Sequence, residues 1–592
     1  MIAPMTKITL MASSSDFTKS VHALRALGLL HVKHMQTPQA DGIDNAIHHL
    51  QTVTRARDIL RPFVTEKCVA SADEHEVYAC AQDIIKASEE LSRLRAEEEN
   101  LNMQAALLAQ WNGACESSLG ELERSGLFIK IYQGTEDEFE TVKEDHQVVV
   151  ILREKKKVCF AVISRAVQEP LGLETVKLPK HNAHTNEEKL KHVKKDIAKI
   201  EHRLQSLCAY APMFEAYALE MEKKIEFFQV RFGALNSGEF HCLEGFCPNE
   251  KMAAFKDAAK QEGWAYLAED AAGDETAPTL LKKPKWLKAI DPVFDFMGAL
   301  PGYSEYDVSF WFFLFFSIFF AMLIGDGGYG LIFTAVVLYL NRVKKSLTGP
   351  AFLLSLTVSL STVVWGAITG TWFASQALAQ LPVLKALIIP KLDGFVESNQ
   401  PFVMHLCFVI GAIQLTVAHL MVALRQGKSL QVLGQVGWVC FVWAMLFAAD
   451  LFVLSFPLPN FFKPLALTGV VLIIFFSDLS RNFFIGALIT ALNFPLKAIG
   501  ALADVLSYLR LFVIGYVGAI VAGTVNTMAV DLGKGGALGI VFMLMLLVGG
   551  HILNLVLGLM AVLVHGLRLN LLEFSGHMDM QWSGIKYSPF KE

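Results

Sequence analysis

The sequence predicts cytoplasmic α/β lobes linked by an antiparallel coiled coil, followed by an all-α polytopic membrane domain with eight helices. Three observations carry this expectation. Residues 1–305 are charged and helix-forming, whereas residues 306–592 begin with repeated apolar runs of membrane length that continue to about 570. Two long segments of the first half repeat apolar residues at steps of three and four. Short strand–helix–strand patterns stand at 5–35 and 240–270.

The first pattern is MTKITLMASSSDFTKSVHALRALGLLHVKHM, in which Ile8 and Leu10 alternate, Val21, Leu24 and Leu27 keep helical spacing, and Gly28 stops the helix. The second is FHCLEGFCPNEKMAAFKDAAKQEGWAYLAED, with Pro248 expected in the first turn of its helix. Between them lie helical stretches at about 43–112 and 184–230. Ile84, Ala87, Leu91, Leu94, Leu101, Ala105 and Leu108 form one stripe, interrupted by Glu98. Leu190, Val193, Ile197, Ile200, Leu204 and Leu207 form a cleaner one. An antiparallel rod that leaves one lobe and returns to another is the expectation; two helices of a globular bundle and a homodimeric coiled coil are the alternatives. QVVVILREKKKVCFAVISRA, at 147–166, reads as two strands joined near a solvated basic turn.

The net charge of −5 argues for no nucleic-acid partner. Nine scattered cysteines do not form a disulfide framework, and Cys242 and Cys247 lack two further ligands for zinc, so no metal is expected. The N-terminal stretch lacks the apolar core of a signal peptide, so the first half is expected to stay on the cytoplasmic side.

Candidate spans are 308–324, 327–341, 351–375, 401–424, 433–456, 465–480, 501–530 and 537–569. The glycines of IGDGGYG permit a turn between the first two. That turn puts Lys282, Lys283, Lys285 and Lys288 on one side with Arg342, Lys344, Lys345, Arg425, Lys428, Arg481, Lys497 and Lys586, a positive-inside pattern with both termini cytoplasmic.

The chemistry concentrates in the last two spans. His551, Asn554, Gly558, Ala561, His565 and Arg568 recur at steps of three and four on one helix. The preceding helix carries Asp504, Ser507 and Arg510, then Gly515, Ala519 and Gly523, a face suited to close helix approach. Arginines in hydrocarbon need an anion, and no carboxylate on these helices stands well placed for both. Either they snorkel or pair locally with Asp504 and Glu573, or they meet a mobile carboxylate on another protein and separate two half-paths for an ion. Histidines suit such a path because their proton exchange falls in the physiological range. Asp326 reads as a turn cap, and Asp450 as a group meeting headgroups or water. Asp478 and Arg481 read as a local pair, His405 and Gln414 as interior or path residues, and His419 as a satisfied core residue.

SYLRLFVIGYVGAIV, GGHILNL and VHGLRLNLLEFSG, with IGDGGYGL, resemble the large membrane subunit of rotary V-type/A-type ATPases, subunit a or I, in its prokaryotic form. The resemblance covers essentially the whole chain. It implies that Arg510 and Arg568 face the rotor's ion-binding glutamates, with His565 beside them. It also implies that residues 1–305 form a stator arm, and that the last two spans lie tilted beside the rotor ring. The implied partners are the proteolipid ring (c/K subunits), peripheral-stalk subunits (E/G type), the central-stalk and catalytic subunits, and the lipid of a prokaryotic inner membrane. Two departures stand out: Gly558 occupies the place of a eukaryotic glutamate, and GYVGAI lacks the family's histidine. The coupled ion is H+ or Na+. No phosphate-binding G-x-x-x-x-G-K-[ST] occurs, since DLGKGGALG at 531–539 lacks its spacing, so no nucleotide cofactor or catalytic role is expected. The rival reading is a stand-alone secondary transporter with a regulatory coiled coil, for which no internal repeat is evident.

Overall fold

The computed structural model describes residues 1–63, 74–110, 115–154, 157–165, 173–175, 182–271, 276–345, 347, 349–479 and 483–591. The first strand–helix–strand unit is β1 (Met5–Ser13), α1 (Phe17–Leu27) and β2 (His31–Lys33). Gly28, at φ 61°, ends α1 in the left-handed conformation that glycine adopts without strain.

Along β1, Ile8, Leu10 and Ala12 are buried on one face, and the strand is hydrogen-bonded on both edges, to one neighbour on each side. Those neighbours come from the distant second unit, which corrects the expectation of separate lobes. An arm of two helix pairs intervenes: α2 (Asp41–Leu60) and α3 (Glu74–Gln110) go out. A distal lobe follows, with α4 (Glu116–Arg124), β3 (Phe128–Gly134), α5 (Glu136–Asp145), β4 (Gln147–Glu154), β5 (Lys157–Ser164) and β6 (Glu174–Thr175). Helices α6 (Ala183–Leu207) and α7 (Ala211–Phe232) return. Then β7 (Leu235–Asn236), β8 (Phe240–Pro248), α8 (Met252–Glu262) and β9 (Ala265–Asp270) complete the first sheet in the order β2-β8-β1-β9, with β7 beside β8. All its pairs are antiparallel, from Met5↔Pro248 to Ser13↔Phe240 along β1 and β8. The arm therefore returns to the sheet it left, as an insertion in a β-α-β-β-α-β plan. Pro248 ends β8 rather than entering α8, because a 3-10 turn at Asn249–Lys251 separates them.

In the arm, Arg95–Glu201 at 2.7 Å and Asp83–Arg203 at 3.3 Å run in opposite sequence directions, so α3 and α6 lie antiparallel. Ile84, Ala87, Leu91, Leu94 and Leu101 are buried with Val193, Ile197 and Leu204, whereas Ala105 lies exposed. The distal sheet has the order β4-β5-β3-β6 around Tyr132, Phe139 and Phe160. The strand pair expected at 147–166 is thus half of a larger sheet; FIKIYQG at 128–134 supplies β3, too short an alternation to stand out.

After the short α9 (Asp291–Met297), the apolar helices are α10 (Ser309–Ile324), α11 (Gly327–Tyr339), α12 (Gly349–Thr369), single-turn α13 (Gln376–Ala379) and α14 (Pro382–Lys385), α15 (Gln400–Gln426), α16 (Gln431–Ala449), α17 (Phe462–Phe476), α18 (Phe483–Ser507), α19 (Leu509–Gly533) and α20 (Gly536–Ala561). Among the described residues, 5 helical stretches are long and apolar enough to cross a membrane: Gly349–Thr369, Glu397–Gln426, Gln431–Leu454, Phe483–Gly533 and Gly536–Phe574. Three shorter apolar helices are Ser309–Ile324, Gly327–Val343 and Phe462–Phe476. The stretch expected at 501–530 thus extends back to Phe483, with a break at Tyr508. Leu488, Leu492 and Leu496 of α18 keep one exposed apolar face through a segment that the expected spans 465–480 and 501–530 leave as a connection. Arg481, and with it the Asp478–Arg481 pair, lies outside the described residues.

Helix α10 is the hub: Phe312, Phe315, Phe319 and Met322 are buried with Phe408 and Leu415 of α15 and with Leu511 of α19. Asp326 caps α11, accepting from Gly328 N at 2.8 Å, and also accepts from Phe373 N and Ala374 N at 2.9 Å, so the expected cap ties two loops together. Gly515 is the tight point of the small-residue face, since a Cβ there would lie 2.4 Å from Met322 O; at Gly523 nothing lies within 4 Å, so that glycine makes no close approach.

The last residues run back to the first sheet. Gly584 N donates to Leu300 O at 3.0 Å, Tyr587 Oη to Leu29 O at 2.6 Å, and Phe590 N to Leu30 O at 2.9 Å. Phe590 is buried among Phe17, Leu24 and Phe227. His31 Nδ1 lies 2.9 Å from Ser588 O and 3.2 Å from Ser588 N, and burial, outweighing the bond to that carbonyl, lowers its pKa from the ordinary 6.5. A depressed histidine contributes stability that is whole above about pH 6.5 and lost as pH falls below it. Limited proteolysis of the tail, normalised to an unstructured peptide, is therefore expected to accelerate between about pH 8 and about pH 5.5. A rate independent of pH would exclude this role for His31.

Candidate functional site

The site forms where the start of α19 meets the continuation of α20. Tyr508 is fully buried and donates its hydroxyl to Gln414 Oε1 at 2.8 Å. Gln414 Nε2 donates to Asn570 Oδ1 at 2.9 Å, and Asn570 Nδ2 to Gly566 O at 3.3 Å. Gln414 and Asn570 are wholly buried, so each polar atom needs this partner, and the chain of bonds fixes α15, α19 and the segment after α20 against one another. Gln414 is thus an interior residue, as one of its two readings held.

On this frame stand the arginines. Arg510 Nε donates to Ser507 O at 2.9 Å, and its Nη2 to Glu573 Oε1 at 2.5 Å. Arg568 Nε lies 3.5 Å from the same Glu573 oxygen. Glu573 is 3% exposed, Arg510 24% and Arg568 52% in their side chains, so one buried carboxylate serves two guanidiniums of unequal access. This overturns the expectation that no carboxylate is placed for both. The cause is helical geometry: Leu569–Phe574 is a π-helical turn, and so is Val562–Gly566. Its i→i+5 pairing aligns Arg568 with Glu573, which an α-helix of 3.6 residues per turn would set on different faces.

His565 belongs to the first π turn, and its Nδ1 is buried with no hydrogen-bond partner among the described residues. The Ser507 hydroxyl turns to Ala503 O at 2.9 Å, leaving only its carbonyl to the arginine. Asp504 accepts from His577 at 3.1 Å, and His577 meets His419 at 2.9 Å; His419 also bonds Gln435 at 2.8 Å, a satisfied core histidine.

His551 and Asn554 are not part of this cluster. They meet beside the Asp326 cap, at the opposite end of α10 from Ser309. Asn554 Nδ2 donates to Tyr329 Oη at 3.1 Å, Tyr329 Oη to His551 Nδ1 at 2.7 Å, His551 Nε2 to Asn526 Oδ1 at 2.9 Å, and Asn526 Nδ2 to Phe373 O at 2.7 Å. The donors run in one direction, which assigns the Nε2–H tautomer to His551. A cavity of about 200 Å³ lined by Tyr329, Val517, Gly518, Asn554 and Gly558 adjoins it, so both departures noted in the sequence border one space. Tyr329 and Asn526 escaped the sequence reading because they are brought in from two other helices.

His405 and Asp450 pair at 2.9 Å between α15 and the turn after α16. Asp450 is only 4% exposed, which corrects its assignment to headgroups or water: a hydrogen-bonding partner in an adjacent helix replaces the solvent.

This fold and site define a polytopic helical membrane protein with an α/β arm and paired arginines on its last helices. The chain is similar to subunit I of V-type ATP synthases across its whole length, and to subunit I of A-type ATP synthases over part of it. It is 28% identical to V-type ATP synthase subunit I 1 of Treponema pallidum and 27% identical to V-type ATP synthase subunit I of Borreliella burgdorferi, with 100% of each chain covered. It is 25% identical to A-type ATP synthase subunit I of Methanocaldococcus jannaschii over 78% of this chain and 71% of that one. A crystal structure of the cytoplasmic N-terminal domain of subunit I, a homologue of subunit a of V-ATPase, aligns with 44% of this chain and 99% of that one, at 13% identity and a TM-score of 0.26, too low to support an argument. No protein-family model matches the chain.

Replacing Tyr329 by Phe removes a hydroxyl shared by His551 and Asn554. The expected cost is roughly 1–3 kcal/mol, read as a lowered thermal midpoint of the detergent-solubilised protein. An unchanged midpoint would show that the network is not a structural tie.

Proposed function

We propose that this chain is the stator and ion half-channel subunit of a rotary V/A-type ATPase, coupling rotor rotation to transmembrane movement of H+ or Na+. The single observation that carries the reading is the pair Arg510 and Arg568, fixed on adjacent apolar helices with Arg568 half exposed. A cation held at the edge of a bundle, with polar groups toward one end, suits a carboxylate that arrives from a separate protein. The full-length similarity to ATP synthase subunits I supports the same reading.

In this proposal residues 1–305 are the cytoplasmic stator arm. Its antiparallel helix pairs act as a coiled coil that engages E/G-type peripheral-stalk subunits and restrains the catalytic head and central stalk. Residues 306–592 are the membrane domain, whose eight spans combine the five long and three short apolar stretches, taking each long stretch as one span. The last two spans face the c/K proteolipid ring in a prokaryotic inner membrane, with both termini cytoplasmic. Arg510 and Arg568 compel a rotor carboxylate to release its ion before passing, with Ser507 bracing Arg510 through its carbonyl and His565 beside them. His551 and Asn554, with the adjoining cavity, line the half-path on the far side. The chain itself is non-catalytic and carries no cofactor role.

Gentle purification of the tagged protein is expected to recover nucleotide-binding subunits and a small carboxylate-bearing membrane subunit in fixed ratio. In that complex Arg510→Ala is expected to reduce ATP-driven ion uptake into vesicles to background while assembly persists. A transport-competent particle of this chain alone, or normal uptake by the assembled variant, would overturn the proposal, the former in favour of a secondary transporter.

A further inference from the structure

The arginine site contains a feature that a simple two-cation stop does not need. Glu573 is buried, and one of its oxygens carries both guanidiniums, at 2.5 Å and 3.5 Å. Its second oxygen is buried without a hydrogen-bond partner among the described residues. A carboxylate kept solely for stability would be costly in this form, since an unfilled acceptor and two desolvated charges offset much of the pair's attraction. Its position also depends on the local π turn, a helical irregularity that itself carries a cost.

The charged and titratable groups around it come from three directions. Arg510, Asp504 and Tyr508 belong to α18, α19 and their junction. His565, Arg568 and His577 belong to the segment after α20. Helix α15 contributes His419, beside His577, and the neutral Gln414. Helix α10 presents apolar residues such as Phe315, packed on Phe574.

We infer that Glu573 is a positioning residue that sets the arginine site to one net positive charge and makes its two arginines unequal. This rests on the rotor reading above. Arg510 is engaged by Glu573 and by Ser507 O, whereas Arg568 makes only the longer contact and is half exposed. Arg568 is therefore the more accessible of the two arginines to an arriving carboxylate, and Arg510 the more tightly held. The charge matters because a transport site must bind strongly enough to ionise its guest and weakly enough to release it. Without Glu573 a second full positive charge would hold the rotor carboxylate ionised to lower pH, by about one to two units, a ten- to hundredfold change in proton affinity. Reprotonation, the step that frees the carboxylate, would then need a more acid medium.

The test uses the assembled complex in vesicles and measures ATP-driven uptake as a function of pH. Glu573→Gln keeps the shape and removes the charge; its profile is expected to move about one to two units acid, with roughly tenfold slower uptake near neutrality. Glu573→Asp keeps the charge and is expected to keep the unmodified profile. An unshifted profile for Glu573→Gln, or equal defects in both variants, overturns the inference in favour of a packing role. If Glu573→Gln does not assemble, Arg510→Gln combined with it is expected to restore assembly by removing the stranded cation, and failure of that rescue likewise overturns it. Arg510→Ala in the same vesicles separates the two readings. Normal uptake there removes the rotor reading itself, whereas background uptake beside an unshifted Glu573→Gln removes only this inference.

Discussion

A guanidinium among apolar helices cannot be left without an anion, and the arrangement around Arg510 follows from that constraint. Breaking a buried ion pair by deleting one partner costs roughly 3–5 kcal/mol, a large share of a protein's net stability. Glu573 supplies the anion, and the fold meets the geometric demand by changing helix type rather than by moving a helix. The π turn at Leu569–Phe574 brings residue 573 onto the face of residue 568, within reach of α19.

The precision of that meeting depends on neutral groups. Tyr508, Gln414 and Asn570 are buried with no access to water, so their mutual hydrogen bonds are the means of satisfying them. A shift of α15, α19 or the terminal segment would strand a polar atom. Gly515 closes the same corner from the apolar side, where the Met322 carbonyl leaves no room for a Cβ. Polar satisfaction and backbone contact together hold the charged cluster. The far cluster of Tyr329, His551, Asn526 and Asn554 is tied to a different part of the bundle, the Asp326 cap.

The arm is joined to the bundle by more than chain continuity. Residues 584–590 lie against Leu300, Leu29 and Leu30, and Phe590 completes the hydrophobic core of the first sheet. The segment that carries Arg568 and Glu573 thus ends within the lobe from which the arm departs. Helices α2 and α7, which begin and end the arm, connect directly to strands of that same sheet.

The sequence by itself determined the local and periodic features. Apolar length marked membrane helices, steps of three and four marked the buried stripes of α3 and α6, and Gly28 and Asp326 announced a stop and a cap, because each is encoded within one or two turns. The arginines stood out because charge in an apolar run is costly wherever it lies. Only the tertiary structure decided which groups meet. It joined β1 to β8 and β9 across some two hundred residues of insertion, since a central strand's edge partners are not written in the strand. It buried Asp450 on His405, and it divided one apparent stripe into the His551 and Arg568 clusters. It also gave both arginines a common carboxylate, because the i→i+5 register of a π turn is invisible to a reading built on 3.6 residues per turn.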